Sequence, residues 1–302
     1  LKGTSAARTR YIGGTKGTHI VVDTFPGAPK ESLYYESDDH RPMMVIPWLG
    51  RYLLGSTDVR FSGDLDDARA SQEDFEYILY ETNKIFPGAD LTTANILYSY
   101  TGVRPLPAID GENTADISRR HTIVNHGPEI EGLYSVIGGK LTTFRALSKH
   151  VLNNLEKRLG MSVESLDNRK LPGTTTGALT SSTYLTRLDK IYGARASELE
   201  SFIKSEKKRE RILDSASGLT LGEVLFSLYQ EEAQTATDII CRRTMLGFED
   251  DLGERVFDQI LKIMSVELDW DHTRIEAERD AFNFYKERST TIDQDYGIPT
   301  RD

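Results

Sequence analysis

The chain has one cysteine, Cys241, among its 302 residues. No disulfide can close within it, and a reducing compartment is the default for that usage. No run approaches the roughly 18 apolar residues of a membrane span. No leader with a basic start and an apolar centre opens the chain. Basic residues do not dominate: 37 Lys and Arg stand against 47 Asp and Glu, a net charge of -10. That balance argues against a broad basic surface for nucleic acid, and unspecific attraction to acidic lipid is not favoured. An anionic ligand must be held by a local cluster of Arg and Lys. There are no internal repeats, no heptads and no Asp-x-Asp-x-Asp-Gly calcium loop, and no metal site is expected.

What is present is an ordinary globular composition, 38% hydrophobic and 28% charged, with length enough for two domains. The first residue is Leu, not Met. A short polar stretch, Leu1–Arg8, gives way almost at once to buried-looking periodic sequence. This reads as the middle of a longer protein.

Residues 18–23 predict a strand, being β-branched around one histidine. Residues 43–48 and 51–58 predict two strands joined by a Leu49-Gly50 hairpin turn. Residues 71–86 predict a helix capped by Ser71, with Asp74 three positions on and Pro87-Gly88 as its stop. Residues 95–104 and 133–137 read as extended. Residues 142–159 predict a helix with Leu147, Val151, Leu152, Leu155 and Leu159 on one face, ended by Gly160.

Beyond that the composition turns small and polar, from Leu171-Pro172-Gly173 to Ser181-Ser182, in the manner of a linker. The remainder is helical in period. Tyr184, Leu185, Leu188, Ile191 and Tyr192 mark one helix, and Thr220 with Glu223 a capping box. Further helices are expected near 233–246, 251–268 and 272–287. The reading is α+β: a mixed β-sheet part over 1–165, a linker over 166–182, an all-α domain over 183–292 and a tail over 293–302.

Three segments carry chemistry. In Gly132-Leu133-Tyr134-Ser135-Val136-Ile137-Gly138-Gly139-Lys140-Leu141-Thr142-Thr143-Phe144-Arg145 a strand meets a helix through two glycines. The first N–H groups of such a helix lack partners within it and suit something anionic or carbonyl-rich. In Tyr98-Ser99-Tyr100-Thr101-Gly102-Val103-Arg104-Pro105-Leu106, Pro105 holds Arg104 extended, and its planar fork matches phosphate or carboxylate oxygens. In Lys16-Gly17-Thr18-His19-Ile20-Val21-Val22 a histidine begins an apolar run. Taken singly, each has a plainer reading: a tight strand–helix connection, an arginine paired with an acid, a histidine satisfied in the core.

Taken together, with Ile46-Pro47-Trp48 and Gly55-Ser56-Thr57-Asp58 between them, the segments strongly resemble the FAD-dependent glycerol-3-phosphate dehydrogenases. Leu171-Pro172-Gly173 and Ala236-Thr237-Asp238-Ile239-Ile240-Cys241-Arg242-Arg243-Thr244 resemble that family's C-terminal helical domain. The resemblance runs from about residue 10 to about residue 285.

The resemblance implies a D-amino-acid-oxidase-like flavoprotein fold followed by the helical domain. It implies FAD, with Gly138, Gly139, Lys140, Leu141, Thr142 and Thr143 facing the flavin ring. Arg104 and Lys140 then contact the substrate's phosphate or hydroxyl, with Arg119 a looser match. His19 resembles the active-site histidine and is the first choice of base, with Arg104 the alternative. Next to Arg119 the family's acidic–aromatic pair is replaced by Arg120-His121. The family's N-terminal Gly-x-Gly-x-x-Gly turn, which grips the FAD pyrophosphate, does not occur in this sequence. Weak or absent FAD binding by the chain as given is the expectation.

The implied reaction is oxidation of sn-glycerol 3-phosphate to dihydroxyacetone phosphate, with electrons passed to a quinone. The implied location is the cytoplasm, peripheral on the inner face of the cell membrane, and a homodimer is one implied assembly. An oxidase using O2 is the near alternative, and a non-catalytic helical interaction module is the reading from another class.

Overall fold

The computed structural model describes residues 11–108, 117–163, 171 and 187–291. The chain forms two compact units, Leu1–Asp167 with Arg288–Asp302, and Asn168–Glu287. Except for Leu171, the expected linker and tail lie outside the described residues, as do Tyr184 and Leu185.

The first unit is built on an antiparallel sheet. Its strands are β1 (Thr15–Val22), β2 (Leu33–Glu36), β3 (Pro42–Trp48), β4 (Arg51–Gly55) and β5 (Val59–Arg60), and, after the helix α1 (Gln72–Ile85), β6 (Ile96–Arg104). The order is β2-β3-β4-β1, with β6 paired along the whole of β1 and β5 against its first residues. The β3–β4 hairpin turns on Leu49 at φ 49° and Gly50 at φ 86°, the two positive angles a two-residue turn needs. As the capping signal predicts, the Ser71 side chain accepts from the Asp74 N–H, and the Ser71 N–H donates back to Asp74 at 3.0 Å. Strand β4 is shorter than expected and ends at Gly55.

Strand alternation divides the Lys16–Val22 segment between two faces. Ile20 and Val22 join Met43, Val45 and Leu54 in a core closed by Phe75, Ile78 and Leu79 of α1. Burying each such side chain contributes roughly 1.5–3 kcal/mol. On the same face Lys16 Nζ lies 2.8 Å from Asp74, with 1% and 3% of the two side chains exposed. The Thr18 hydroxyl donates to the same carboxylate at 3.1 Å. Asp74 thus caps α1 and seats β1 upon it. Gly17 and His19 belong to the opposite face.

Strands β7 (Thr122–Asn125) and β8 (Tyr134–Ile137) form a separate antiparallel pair, followed by α2 (Phe144–Leu159). The expected helix over 142–159 begins instead with a 3-10 turn at Leu141–Thr143. The reason is local: the Thr143 hydroxyl donates to the Lys140 carbonyl at 3.0 Å, and the Lys140 N–H donates to that hydroxyl at 3.3 Å, which competes with regular helix. Gly160 ends α2 at φ 63°. Leu147, Val151, Leu152 and Leu155 are half-buried; Leu159, expected beside them, is exposed.

The second unit contains α3 (Arg187–Tyr192), α4 (Ala196–Lys204), β9 (Ile212–Asp214), β10 (Leu219–Thr220), α5 (Leu221–Tyr229), α6 (Glu254–Glu267) and α7 (His272–Thr290), the last running past the unit's end. Val224, Leu225, Ile239, Ile240, Val256, Ile260, Met264 and Phe282 fill its core. Three details differ from the sequence reading.

The unit is not purely helical, because Asp214 accepts from the Ser217 N–H at 2.9 Å and Gly218 turns at φ 74°. That closes the small β9–β10 ladder. The helix expected over 233–246 shrinks to a π-helical stretch, Asp238–Arg243. The N–H groups just before it bond to side chains instead: Gln234 and Thr235 to Asp238, and Ala236 to Glu278. The box at Thr220 is half made. Thr220 accepts from the Glu223 N–H, but the Glu223 carboxylate bonds Arg187 at 2.8 Å and Tyr192 at 3.1 Å. Burial outweighs the Arg187 charge there and raises Glu223 to about 7.

Candidate active site

His19 lies on β1 between Tyr100 of β6 and Gly55 of β4. A Cβ on Gly55 would stand 2.6 Å from His19 Cδ2, so the imidazole rests on bare backbone, as glycine in a strand allows. The ring is half-buried. Burial first, and then the positive charge of Arg104, bring its pKa from 6.5 down to about 4. At neutral pH it is an uncharged imidazole with one nitrogen able to accept a proton.

Arg104 closes β6, and its guanidinium lies over Gly17. A Cβ at Gly17 would sit 2.2 Å from Nη2. Nη1 donates to Asp58 at 2.9 Å, and Nη2 donates to the Ser56 hydroxyl and the Thr57 carbonyl, each at 3.1 Å. The plain reading of a paired arginine therefore holds for much of its fork. Burial lowers its pKa; Asp58 opposes this, while Arg119 and Arg41 add to it. Arg119 donates to the other oxygen of Asp58 at 3.1 Å and keeps 40% of its side chain exposed. Of its neighbours, Arg120 is exposed, and His121 lies 3.0 Å from His150.

The diglycine turn adjoins this group. The Gly138 N–H donates to the carbonyl of Pro105, the residue after Arg104, at 3.1 Å. Gly138 and Gly139 take φ of 73° and 91°, open to glycine at little cost. A Cβ on Gly138 would meet the Arg120 carbonyl at 2.9 Å, and one on Gly139 would meet Leu147 of α2 at 3.1 Å. Lys140 is exposed at the turn's end. The N–H groups of Leu141 and Thr142 make no hydrogen bond among the described residues, and the Leu141 side chain is 89% exposed. His19, Arg104, Arg119 and the turn are thus joined through β1, β6, Asp58 and Pro105.

Residues 3–145 match the family model of FAD dependent oxidoreductases, and residues 136–275 match that of the C-terminal domain of alpha-glycerophosphate oxidase. A glycerol-3-phosphate dehydrogenase of Synechocystis sp. is 35% identical over 302 residues, covering 94% of this chain and 54% of that protein. The chain belongs to the FAD-dependent glycerol-3-phosphate dehydrogenase family.

The aerobic glycerol-3-phosphate dehydrogenase of Bacillus subtilis, another of the family, is 27% identical, covering 87% of this chain and 51% of its own length. The crystal structure of the glycerol-3-phosphate dehydrogenase from Bacillus halodurans complexed with FAD shares the fold. It superposes with a TM-score of 0.76 at 23% identity, covering 96% of this chain and 59% of that one. The chain spans about half the length of the curated relatives it matches. The resemblance read from the motifs is borne out, with its fold class, and FAD is the family's cofactor. Among the described residues no helix is long and apolar enough to cross a membrane.

Three residues of this site were not singled out from the sequence. Asp58 stood within a quoted motif without a role. Gly17 carried a usable signal, since a glycine inside a strand marks close approach of another group. Ser56 gave none.

Proposed function

We propose that this chain forms the substrate side of a flavoenzyme oxidising sn-glycerol 3-phosphate to dihydroxyacetone phosphate, with electrons passed on to a quinone. The observation that carries the reading is the bracing of Arg104 and Arg119 on one carboxylate next to a neutral His19. Two guanidiniums suit a phosphate, whose oxygens accept several N–H donors at once. An uncharged imidazole suits the removal of a hydroxyl proton.

The diglycine turn fits a flavin. Leu141 offers an exposed apolar surface there, and the Leu141 and Thr142 N–H groups lack partners among the described residues. Gly138, Gly139, Lys140, Leu141, Thr142 and Thr143 would hold the isoalloxazine end, the helix start favouring negative charge there. When bound, FAD supplies the acceptor for the hydride leaving the substrate's secondary carbon.

In this proposal Arg104 and Arg119 bind the substrate's phosphate, and Lys140 reaches its phosphate or hydroxyl. His19 takes the hydroxyl proton, a contribution of about 10²–10⁴-fold. Phosphate bound to Arg104 offsets one of the two causes that depress His19, which raises its basicity when substrate is present. Arg104 keeps its proton beside Asp58 and positions the substrate. The test is steady-state oxidation by the FAD-loaded full-length enzyme, with a soluble quinone analogue and with O2 alone. Quinone-dependent turnover supports the reading. Stoichiometric peroxide with O2 assigns the oxidase branch, and no turnover of glycerol 3-phosphate overturns the proposal.

A further inference from the structure

Asp58 is an unexpected residue in a site for an anion. Its side chain is 9% exposed. One carboxylate oxygen accepts from Arg104 at 2.9 Å, the other from Arg119 at 3.1 Å, and its backbone carbonyl accepts from Arg41 at 3.1 Å. The three arginines come from distant parts of the chain and meet at this one residue. Arg41 also pairs with Asp39 at 3.0 Å. Among the described residues these contacts set three guanidiniums against two carboxylates, a surplus of one positive charge.

We infer that Asp58 is a positioning residue, a bridge that fixes the Arg104 and Arg119 guanidiniums in advance for the substrate's phosphate. The inference rests on the proposed reading of the site and deepens it, by saying what the shared carboxylate does for the two arginines. Like charges repel, so two guanidiniums brought together without a bridge would swing apart toward water. A long arginine side chain also loses rotamer freedom when it is immobilised on binding. Asp58 fixes both at folding, before substrate arrives. Arg104 is held by three bonds, so few of its donors remain. Arg119 is held by one and keeps 40% of its side chain exposed, so most of its donors remain for a ligand. The bridge accordingly makes Arg104 the fixed post and Arg119 the arm.

The two roles open to Asp58 predict opposite signs. If it merely neutralises charge, its removal raises the positive surplus and tightens anion binding. If it positions, its removal weakens binding despite the added positive charge. The experiment compares Asp58→Asn with wild type in the FAD-loaded full-length enzyme. KM and kcat for glycerol 3-phosphate are measured, and so is the thermal shift that glycerol 3-phosphate produces. The variant's amide keeps one acceptor and loses the other. KM is expected to rise about tenfold to a hundredfold, the scale of a charge-assisted hydrogen bond, with a smaller change in kcat and a reduced thermal shift.

Asp58→Glu keeps the charge and is expected to fall between wild type and Asp58→Asn, and it carries the test if the Asn variant does not fold. In an Arg119→Ala background, Asp58→Asn is expected to raise KM by a smaller factor, because part of its effect acts through Arg119. An unchanged or lowered KM in Asp58→Asn overturns the inference. So does full additivity with Arg119→Ala, or a Glu variant worse than the Asn variant. If the wild-type enzyme does not turn over glycerol 3-phosphate, the reading of the site fails and this inference fails with it. If it does and KM ignores Asp58, only the positioning role fails.

Discussion

The guanidinium of Arg104 occupies the space that a side chain on Gly17 would need, with Nη2 2.2 Å from where a Cβ would be. Strand register sets Gly17 against Gly102, which leaves a bare lane across the site face of the sheet. Arg104 lies over Gly17 and reaches Asp58. Gly17→Ala is therefore expected to leave the strand formed and to displace Arg104. In the full-length enzyme KM for glycerol 3-phosphate should rise about tenfold or more, the scale of a lost charge-assisted bond. The loss of melting temperature should be modest. Unaltered kinetics would mean that Arg104 need not lie where it does.

His19 should titrate well below an ordinary histidine. Burial and Arg104 depress it to about 4, so the folded state binds this proton less readily than the unfolded chain. Stability from this group is fully present above about pH 6.5 and is lost as pH falls toward 4. Imidazole chemical shifts of the 302-residue chain, followed against pH, check the value. A midpoint near 6.5 would contradict the burial argument.

The far face of the same strand gives a stability prediction. Lys16 and Asp74 form a buried pair, and Asp74 also caps α1. Lys16→Met leaves that carboxylate buried without its cation. A loss of about 3–5 kcal/mol is expected in urea unfolding. A loss under 1 kcal/mol would show that Thr18 and Ser71 satisfy Asp74 by themselves.

The helical and hairpin elements near the site were legible because their signals are local. Ser71 and Asp74 sit three residues apart, and Leu49-Gly50 is itself a turn. His19 and Arg104 were legible only as members of an ordered set of motifs. Asp58 was not legible, because its partners lie 46 and 61 residues away; no short pattern encodes a bridge of that span. The double life of Lys16-Gly17-Thr18-His19 was readable in principle, since a period of two sends alternate residues to opposite faces. The expected helix near 233–246 is shortened for a related reason. Glu278, 42 residues further on, bonds the Ala236 N–H.

The 302-residue chain, purified by itself, is expected to be colourless. On the proposed reading Gly138 to Thr143 would offer one helix start to the ring end of FAD, and no Gly-x-Gly turn occurs in the sequence to grip its pyrophosphate. Absorbance spectra after purification with added FAD check this. Stoichiometric flavin absorbance would show that the ring end alone suffices.

The most direct test of the account is a crystal structure of the FAD-loaded full-length enzyme with dihydroxyacetone phosphate bound. The account predicts the phosphate within hydrogen-bond distance of Arg104 and Arg119, the keto oxygen beside His19, and the Gly138–Thr143 turn against the flavin. A phosphate seated away from both arginines, with His19 remote from the keto oxygen, would contradict it.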